Sequence, residues 1–229
     1  MTAPTDRPNL PPPARLEALL VGEPKPFGPK GEPSAMDRQP VAGRLALGPL
    51  GLAGDRVADT RNHGGADKAV HHYPFDHYAV WATENPALAP RLARPGAFGE
   101  NLAARGWVES DICIGDVIAW GTAQLQVSQT RQPCWKLNVR FDTRTMARDV
   151  ERTGRTGWYY RVLGPGHAGA DDPLVLVDRP HPDWPLVHAH AVLTGTPDRA
   201  ALAALAALPA LAAAHRDRAR QRLARAARG

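Results

Sequence analysis

The sequence predicts a mainly β protein: a small closed β-barrel with helices inserted between its strands, followed by a short three-helix segment. Three observations lead there. Up to about residue 180, short apolar runs are punctuated by Gly, Pro and Asp, too short and turn-rich for a doubly wound sheet. After Pro180 the texture changes to alanine- and leucine-rich helical patterns. The chain has 229 residues, 43% of them hydrophobic, which suffices for one sizeable core with a small satellite. The expected organisation is a flexible proline-rich leader over 1–13, a barrel over 14–180 and a three-helix domain over 181–229.

Each element has a local reason. Arg15–Val21 is an apolar run suited to a strand, and the Pro/Gly stretch through Pro33 cannot be helical. From Ser34 to Asp55, glycines and prolines cut the chain into short β pieces with turns. Phe75–Glu84 reads as a helix, with Tyr78 and Trp81 three apart on one face. Ile112-Cys113-Ile114 reads as an apolar strand ending at Gly115-Asp116. Val117–Trp120 and Gln124–Ser128 follow as hairpin arms, the second alternating with period two. Trp135–Val150 is helix-compatible with a break near Asp142-Thr143. Trp158–Leu163 and Leu174–Val177 are the last strands. Trp184–Thr194 is a helix stopped by Gly195. Thr196-Pro197-Asp198 starts the next, with Leu202, Leu205 and Leu208 as its stripe, and Pro209 precedes a final arginine-rich helix. Such short helices need packing partners: one another, the barrel, or a second copy in a homodimer.

The net charge of +5 invites a nucleic-acid reading. Six arginines against one aspartate between His215 and Gly229 carry the entire excess, leaving residues 1–214 neutral. A nucleic-acid groove needs basic residues spread over a folded face, so a solvated terminal helix is the better reading. No apolar run reaches membrane-span length, and the amino terminus has no signal layout, so a cytoplasmic protein is expected. Two cysteines exclude a disulfide scaffold.

Chemistry concentrates in two segments. Arg61–Pro74 (RNHGGADKAVHHYP), with Asp55 and Asp59 upstream and His77 downstream, holds four of the nine histidines and one of the four lysines. Gly64-Gly65 lets backbone N–H groups approach a ligand closely, and the neighbouring His63, Lys68, His71 and His72 suit an anion. Zinc is poorly supported: His71 and His72 are adjacent and point apart, and no CxxC or HExxH spacing occurs. The second segment is Ser128–Asn138 (SQTRQPCWKLN). Pro133 can begin a helix, placing Cys134 in its first turn beside Arg131 and Lys136, where a thiolate is favoured. Cys113, between two isoleucines, reads instead as a small hydrophobe. A weaker third feature, Gly96–Leu102 (GAFGENL), offers Glu100-Asn101 to a heterocycle edge, or simply closes a loop.

Together Gly54-Asp55, HGGADKAVHHYP (63–74), GAFGENL (96–102), CIGD (113–116) and SQTRQPCWKLN (128–138) resemble the MOSC domain family, related to the C-terminal part of molybdenum-cofactor sulfurase, and within it the YiiM-like branch. Gly154–Trp158, Tyr159–Val162 and the terminal helices also fit. The resemblance implies a barrel that binds molybdenum cofactor (molybdopterin), with Cys134 as the protein ligand to molybdenum. It offers His63, Gly64, Lys68, His72, Asn101, Arg131, Gln132 and Lys136 for the pterin phosphate or the substrate site. It also implies reduction of N-hydroxylated base analogues, such as 6-hydroxylaminopurine, to the amines. No flavin, haem or iron–sulfur motif occurs, so a separate flavoprotein reductase would supply electrons, and His63 or His72 would donate a proton. Relatives often carry lysine where this chain has Arg38, which keeps the charge but not the geometry; Arg38 is left outside the candidate set. Two other readings stay open. One is a sulfur carrier with a Cys134 persulfide. The other is a binding module whose arginine-rich helix docks an acidic partner.

Overall fold

The computed structural model describes residues 10–60, 63–196 and 198–226. β1 (Arg15–Val21) leads into a hairpin of β2 (Lys25–Phe27) and β3 (Glu32–Ser34), then β4 (Gln39–Pro40), β5 (Arg44–Gly48) and β6 (Gly51–Leu52). A single 3-10 turn at Ala66–Lys68 precedes β7 (Val70–Pro74); α1 (Asp76–Glu84) and α2 (Ala89–Leu92) separate it from β8 (Leu102–Arg105). β9 (Val117–Trp120) and β10 (Ala123–Thr130) form a hairpin, followed by α3 (Trp135–Arg140) and α4 (Met146–Thr153). β11 (Trp158–Gly164), β12 (Gly166–Gly169) and β13 (Leu174–Asp178) complete the β region, and α5 (Leu186–Thr194), α6 (Arg199–Ala207) and α7 (Ala213–Ala226) end the chain.

Eight strands make one curled sheet in the order β13-β9-β10-β11-β7-β8-β1-β4. Its neighbours are antiparallel except β7 and β8, whose parallel pairing requires the crossover that α1 and α2 supply. The sheet curls until Ala14, just before β1, exchanges two 3.0 Å backbone hydrogen bonds with Leu174 of β13. The result is the expected barrel-like, mainly β architecture with inserted helices and a C-terminal helical region. Residues 10–13 lie against it, Pro12 O accepting from Trp107 Nε1 at 2.7 Å.

Alternation along β10 and β11 turns Leu125, Val127, Trp158 and Tyr160 into the interior with Trp107 and Trp120. Leu186, Ala189, Leu193, Leu202 and Leu205 of the terminal helices belong to the same apolar cluster rather than a separate core. A second cluster packs α1, α3 and α4 outside β7, around Tyr73 stacked on Phe98 with ring centroids 3.8 Å apart. Gly157 lets the chain entering β11 pass close to the backbone of β7. Its φ is +67°, and a Cβ there would meet His72 O at 2.4 Å.

Two local expectations are corrected. Ile112-Cys113-Ile114 is not a strand: Cys113 makes an isolated bridge to Pro185, and its N–H donates to Asp116 Oδ2 at 2.9 Å, which starts the turn early. Cys134 is the residue before α3, extended at φ −134°, rather than part of its first turn. The cap at Asp198 forms, its Oδ1 accepting from Ala201 N at 2.6 Å, while Pro197 lies outside the described residues.

Candidate functional site

The end of β10, the start of β11, β7 and the loops before β4 and β7 line a cavity partly open to solvent. His63, Lys68, Asn101, Arg131, Cys134 and Lys136 of the predicted set line it. His71, Arg38, Asp59 and Tyr159 join them. Arg61 and Asn62 lie outside the described residues.

Cys134 is half-buried, and this burial pushes its thiol upward. Hydrogen bonding with His63, the charge of Arg131 and the Lys136 backbone N–H oppose the burial and outweigh it, holding the thiol below its ordinary value. The other cysteine makes the contrast: burial, and then the Asp116 carboxylate, push Cys113 up to about 11. His63 places Nδ1 3.4 Å from Asp59 Oδ2, and both line the cavity with Cys134.

β7 sorts the paired histidines. Its period of two sends His71 into the cavity and His72 into the barrel core. His72 is fully buried, stacked on Trp158 at 4.0 Å between ring centroids, with Nδ1 3.1 Å from the Tyr160 hydroxyl. Burial, reinforced by His77, lowers its pKa to about 3. The expectation that His72 holds a ligand or donates a proton is therefore corrected: it is a neutral core residue outside the cavity lining. His71 sets Nδ1 3.1 Å from Gly99 O. A carbonyl only accepts, so the proton sits on Nδ1 and Nε2 is a lone pair. Burial first and Arg131 second keep this ring neutral, and Nε2 is buried without a hydrogen-bond partner.

Arg131 is 6% exposed, and its Nη1 is buried without a hydrogen-bond partner. Two residues that line the cavity thus each carry a buried polar atom without a partner, a cost unless a ligand or water completes it. Lys68 lines it from the turn before β7, its pKa lowered by burial against the opposing charges of Asp59 and Asp67. Arg38, left outside the sequence set, is in place after all. Nε and Nη2 each donate to Asp55 at 2.8 Å, and Nη1 donates to Gly99 O at 2.5 Å. Asp55 Oδ1 also accepts from Gly22 N at 2.9 Å, so this guanidinium is rigidly aimed.

Three predicted residues serve differently. Gln132 is exposed and lines a separate small depression toward the terminal helices. Gly64 is not among the cavity-lining residues. Asn101 lines the cavity, but its amide is engaged by backbone: Oδ1 accepts from His71 N at 3.0 Å and Nδ2 donates to Leu20 O at 3.1 Å. Glu100 is fully buried and closes its loop, accepting from Gly96 N, Phe98 N and the Tyr78 hydroxyl.

Fold and site define a barrel-like protein with one polarised thiol in a cavity walled by cationic side chains. Residues 59–175 match the MOSC domain, and the chain belongs to that family. It is 48% identical over 151 residues to Protein YiiM of Escherichia coli (strain K12), covering 66% of this chain and 67% of YiiM. It is 38% identical over 194 residues to a protein named Reductase from Gibberella moniliformis, covering 84% of this chain but only 33% of that longer protein. The crystal structure of YiiM from Geobacillus stearothermophilus superposes with a TM-score of 0.76 at 32% identity, covering 92% of this chain and all (100%) of the other. YiiM from Escherichia coli gives 0.75 at 35%, covering 89% and 94%.

Molybdenum cofactor, which the family implies, can be tested against these residues. Among the described residues no group of three or more His, Cys, Asp or Glu side chains converges as a metal site. One thiolate, an unpartnered Arg131 nitrogen and the cations Lys68, Lys136 and Arg38 do suit an anionic metal complex that brings most of its own ligands. The residues fit the group.

Proposed function

We propose that this chain is a molybdenum-cofactor-dependent reductase acting on N-hydroxylated substrates such as 6-hydroxylaminopurine. The observation that carries the reading is Cys134: a thiol held low, in a cavity whose remaining walls supply cationic and unpartnered polar groups. The relatives named YiiM and Reductase support the same class.

In this reading Cys134 is the metal ligand. Arg131, Lys68 and Lys136 neutralise the cofactor's negative charge, and Arg38, fixed by Asp55, adds a rigid cation at the wall. Bound cofactor would supply two-electron oxygen abstraction from the N–OH group, with electrons from a separate flavoprotein. The His71 Nε2 lone pair accepts from an N–H or O–H edge of the substrate and so orients it. Asp59 keeps a proton on His63 Nδ1, leaving Nε2 as the nitrogen that exchanges a proton in the cavity.

The test is metal and pterin analysis of protein made in a cofactor-competent host, for wild type and Cys134→Ala. Near-stoichiometric molybdenum in the wild type, lost in the variant along with activity on 6-hydroxylaminopurine, is the expected result. Molybdenum absent from both would sink the proposal.

A further inference from the structure

The terminal helices lie beyond the matched MOSC segment, yet the start of α7 bonds to two of the chain segments that deliver the cavity's cations, those of Lys68 and Arg131. On the Lys68 side, Ala213 N, an otherwise unpaired donor of the first helical turn, donates to Asp67 Oδ2 at 3.1 Å. The other Asp67 oxygen takes Arg161 of β11, with Nε at 3.0 Å and Nη2 at 2.8 Å. On the Arg131 side, Ala212 N donates to Ser128 O at 2.8 Å, and the His215 ring sets Nε2 3.4 Å from Thr130 Oγ1. The two sides are joined directly. Ser128 Oγ lies 2.6 Å from Asp67 O and 3.0 Å from Tyr159 O, sharing one proton between them.

We infer that Asp67 is a positioning residue through which the start of α7 fixes the spacing of Lys68 and Arg131 across the cavity. Lys68 follows Asp67 directly in a 3-10 turn of three residues, none of them fully buried, that lies against β11 and β10. Its neighbours beyond Asp67 are the charged strand residue Arg161 and a helix end whose partial positive charge favours a carboxylate. The terminal helices are then part of the site's frame rather than an independent module. The consequence for binding rests on the reading of the cavity as an anion site; the geometric part does not.

The test uses the full chain and two mild variants. Asp67→Asn keeps shape and removes charge. Ala213→Pro removes only the N–H that bonds Asp67, at a first helical position where proline is tolerated. Amide exchange by mass spectrometry is read over 63–70 and 128–134, with 15–21 and 102–105 as reference. In parallel, pyrophosphate is titrated for protection of Cys134 against iodoacetamide. Expected are about tenfold faster exchange confined to the two site segments, and about tenfold weaker protection, the size of one charge-assisted hydrogen bond. The double variant should do no more than the stronger single one. Unchanged exchange, or an increase spread evenly over the reference strands, overturns the inference, as does faster exchange with unaltered protection. If pyrophosphate fails to protect the wild type, the anion reading falls, and the exchange data alone decide the frame.

Discussion

His63, which favours the thiolate of Cys134, turns its Nδ1 toward Asp59 Oδ2 at 3.4 Å. The three groups come from two segments separated by about seventy residues of chain, brought together because β7 and β10 both flank β11 in the sheet. The lowered thiol of Cys134 therefore rests on one group distant in sequence, His63, and on two near neighbours, Arg131 and the Lys136 N–H. The helix it precedes has only six residues and contributes little dipole.

Iodoacetamide should add once to the native chain, at Cys134, and peptide mass mapping would show it. Cys113 is 3% exposed with its thiol pushed up to about 11, so it reacts only on unfolding. His63→Ala removes a group that favours the thiolate, moving the pH midpoint of Cys134 alkylation upward. An unmoved midpoint would mean that Arg131 and the Lys136 N–H do the work alone.

Arg131→Met separates function from stability. The wild-type guanidinium is buried with Nη1 unpartnered, so its removal relieves a desolvated charge. The urea midpoint should stay level or rise, by up to about 1 kcal/mol of stability. The Cys134 alkylation midpoint should shift upward, because the nearby positive charge is gone. A large loss of stability would instead make Arg131 a structural pin.

How much of this was legible in the sequence depends on how far apart the partners lie. The His63–Lys68 and Arg131–Lys136 segments were visible because unusual residues cluster within a few positions. The period of two told that His71 and His72 diverge, but not which one faces the cavity. That depends on Tyr159 and Trp158, their partners on β11, nearly ninety residues later. Arg38 escaped because its aim comes from Asp55 and Gly99 O, neither adjacent in sequence. The barrel's strands were legible from alternation and turn residues. Its closure was expected too, but not the place where it closes, because that rests on one bridge between Ala14 and Leu174, 160 residues apart.

Acid should destabilise the protein well above the carboxylate range. His72 and His215 are buried with pKa values lowered to about 3, in both cases chiefly by burial, and His71 is lowered as well. Below the ordinary histidine value the unfolded chain takes up protons that the folded chain refuses, so stability falls as pH drops from about 6.5 toward 3. Each such histidine costs about 2 kcal/mol by pH 5. His215→Gln removes one, so the slope of unfolding free energy against pH between 5 and 6.5 should flatten by close to one proton. An unchanged slope would show that His215 is already protonated in the folded state.

Glu100 gives the clearest stability prediction, because the three donors to its carboxylate among the described residues are all neutral. Oε1 accepts from Gly96 N at 2.7 Å and from the Tyr78 hydroxyl at 2.5 Å, and Oε2 accepts from Phe98 N at 3.0 Å. Burial, followed by the Glu100 charge, raises Tyr78 well above its ordinary value, which keeps the phenol a donor throughout the usual pH range. Gln at this position has one acceptor oxygen and turns an NH₂ donor toward an N–H or O–H that already donates. Glu100→Gln should therefore cost about 3 kcal/mol, one buried charged acceptor set against donors left unmet. The loop it closes presents Gly99 O to both Arg38 and His71, so the variant should also weaken pyrophosphate protection of Cys134. Denaturant unfolding and the protection assay read the two effects separately. Full stability in Glu100→Gln would mean that the loop is held by its packing rather than by this side chain.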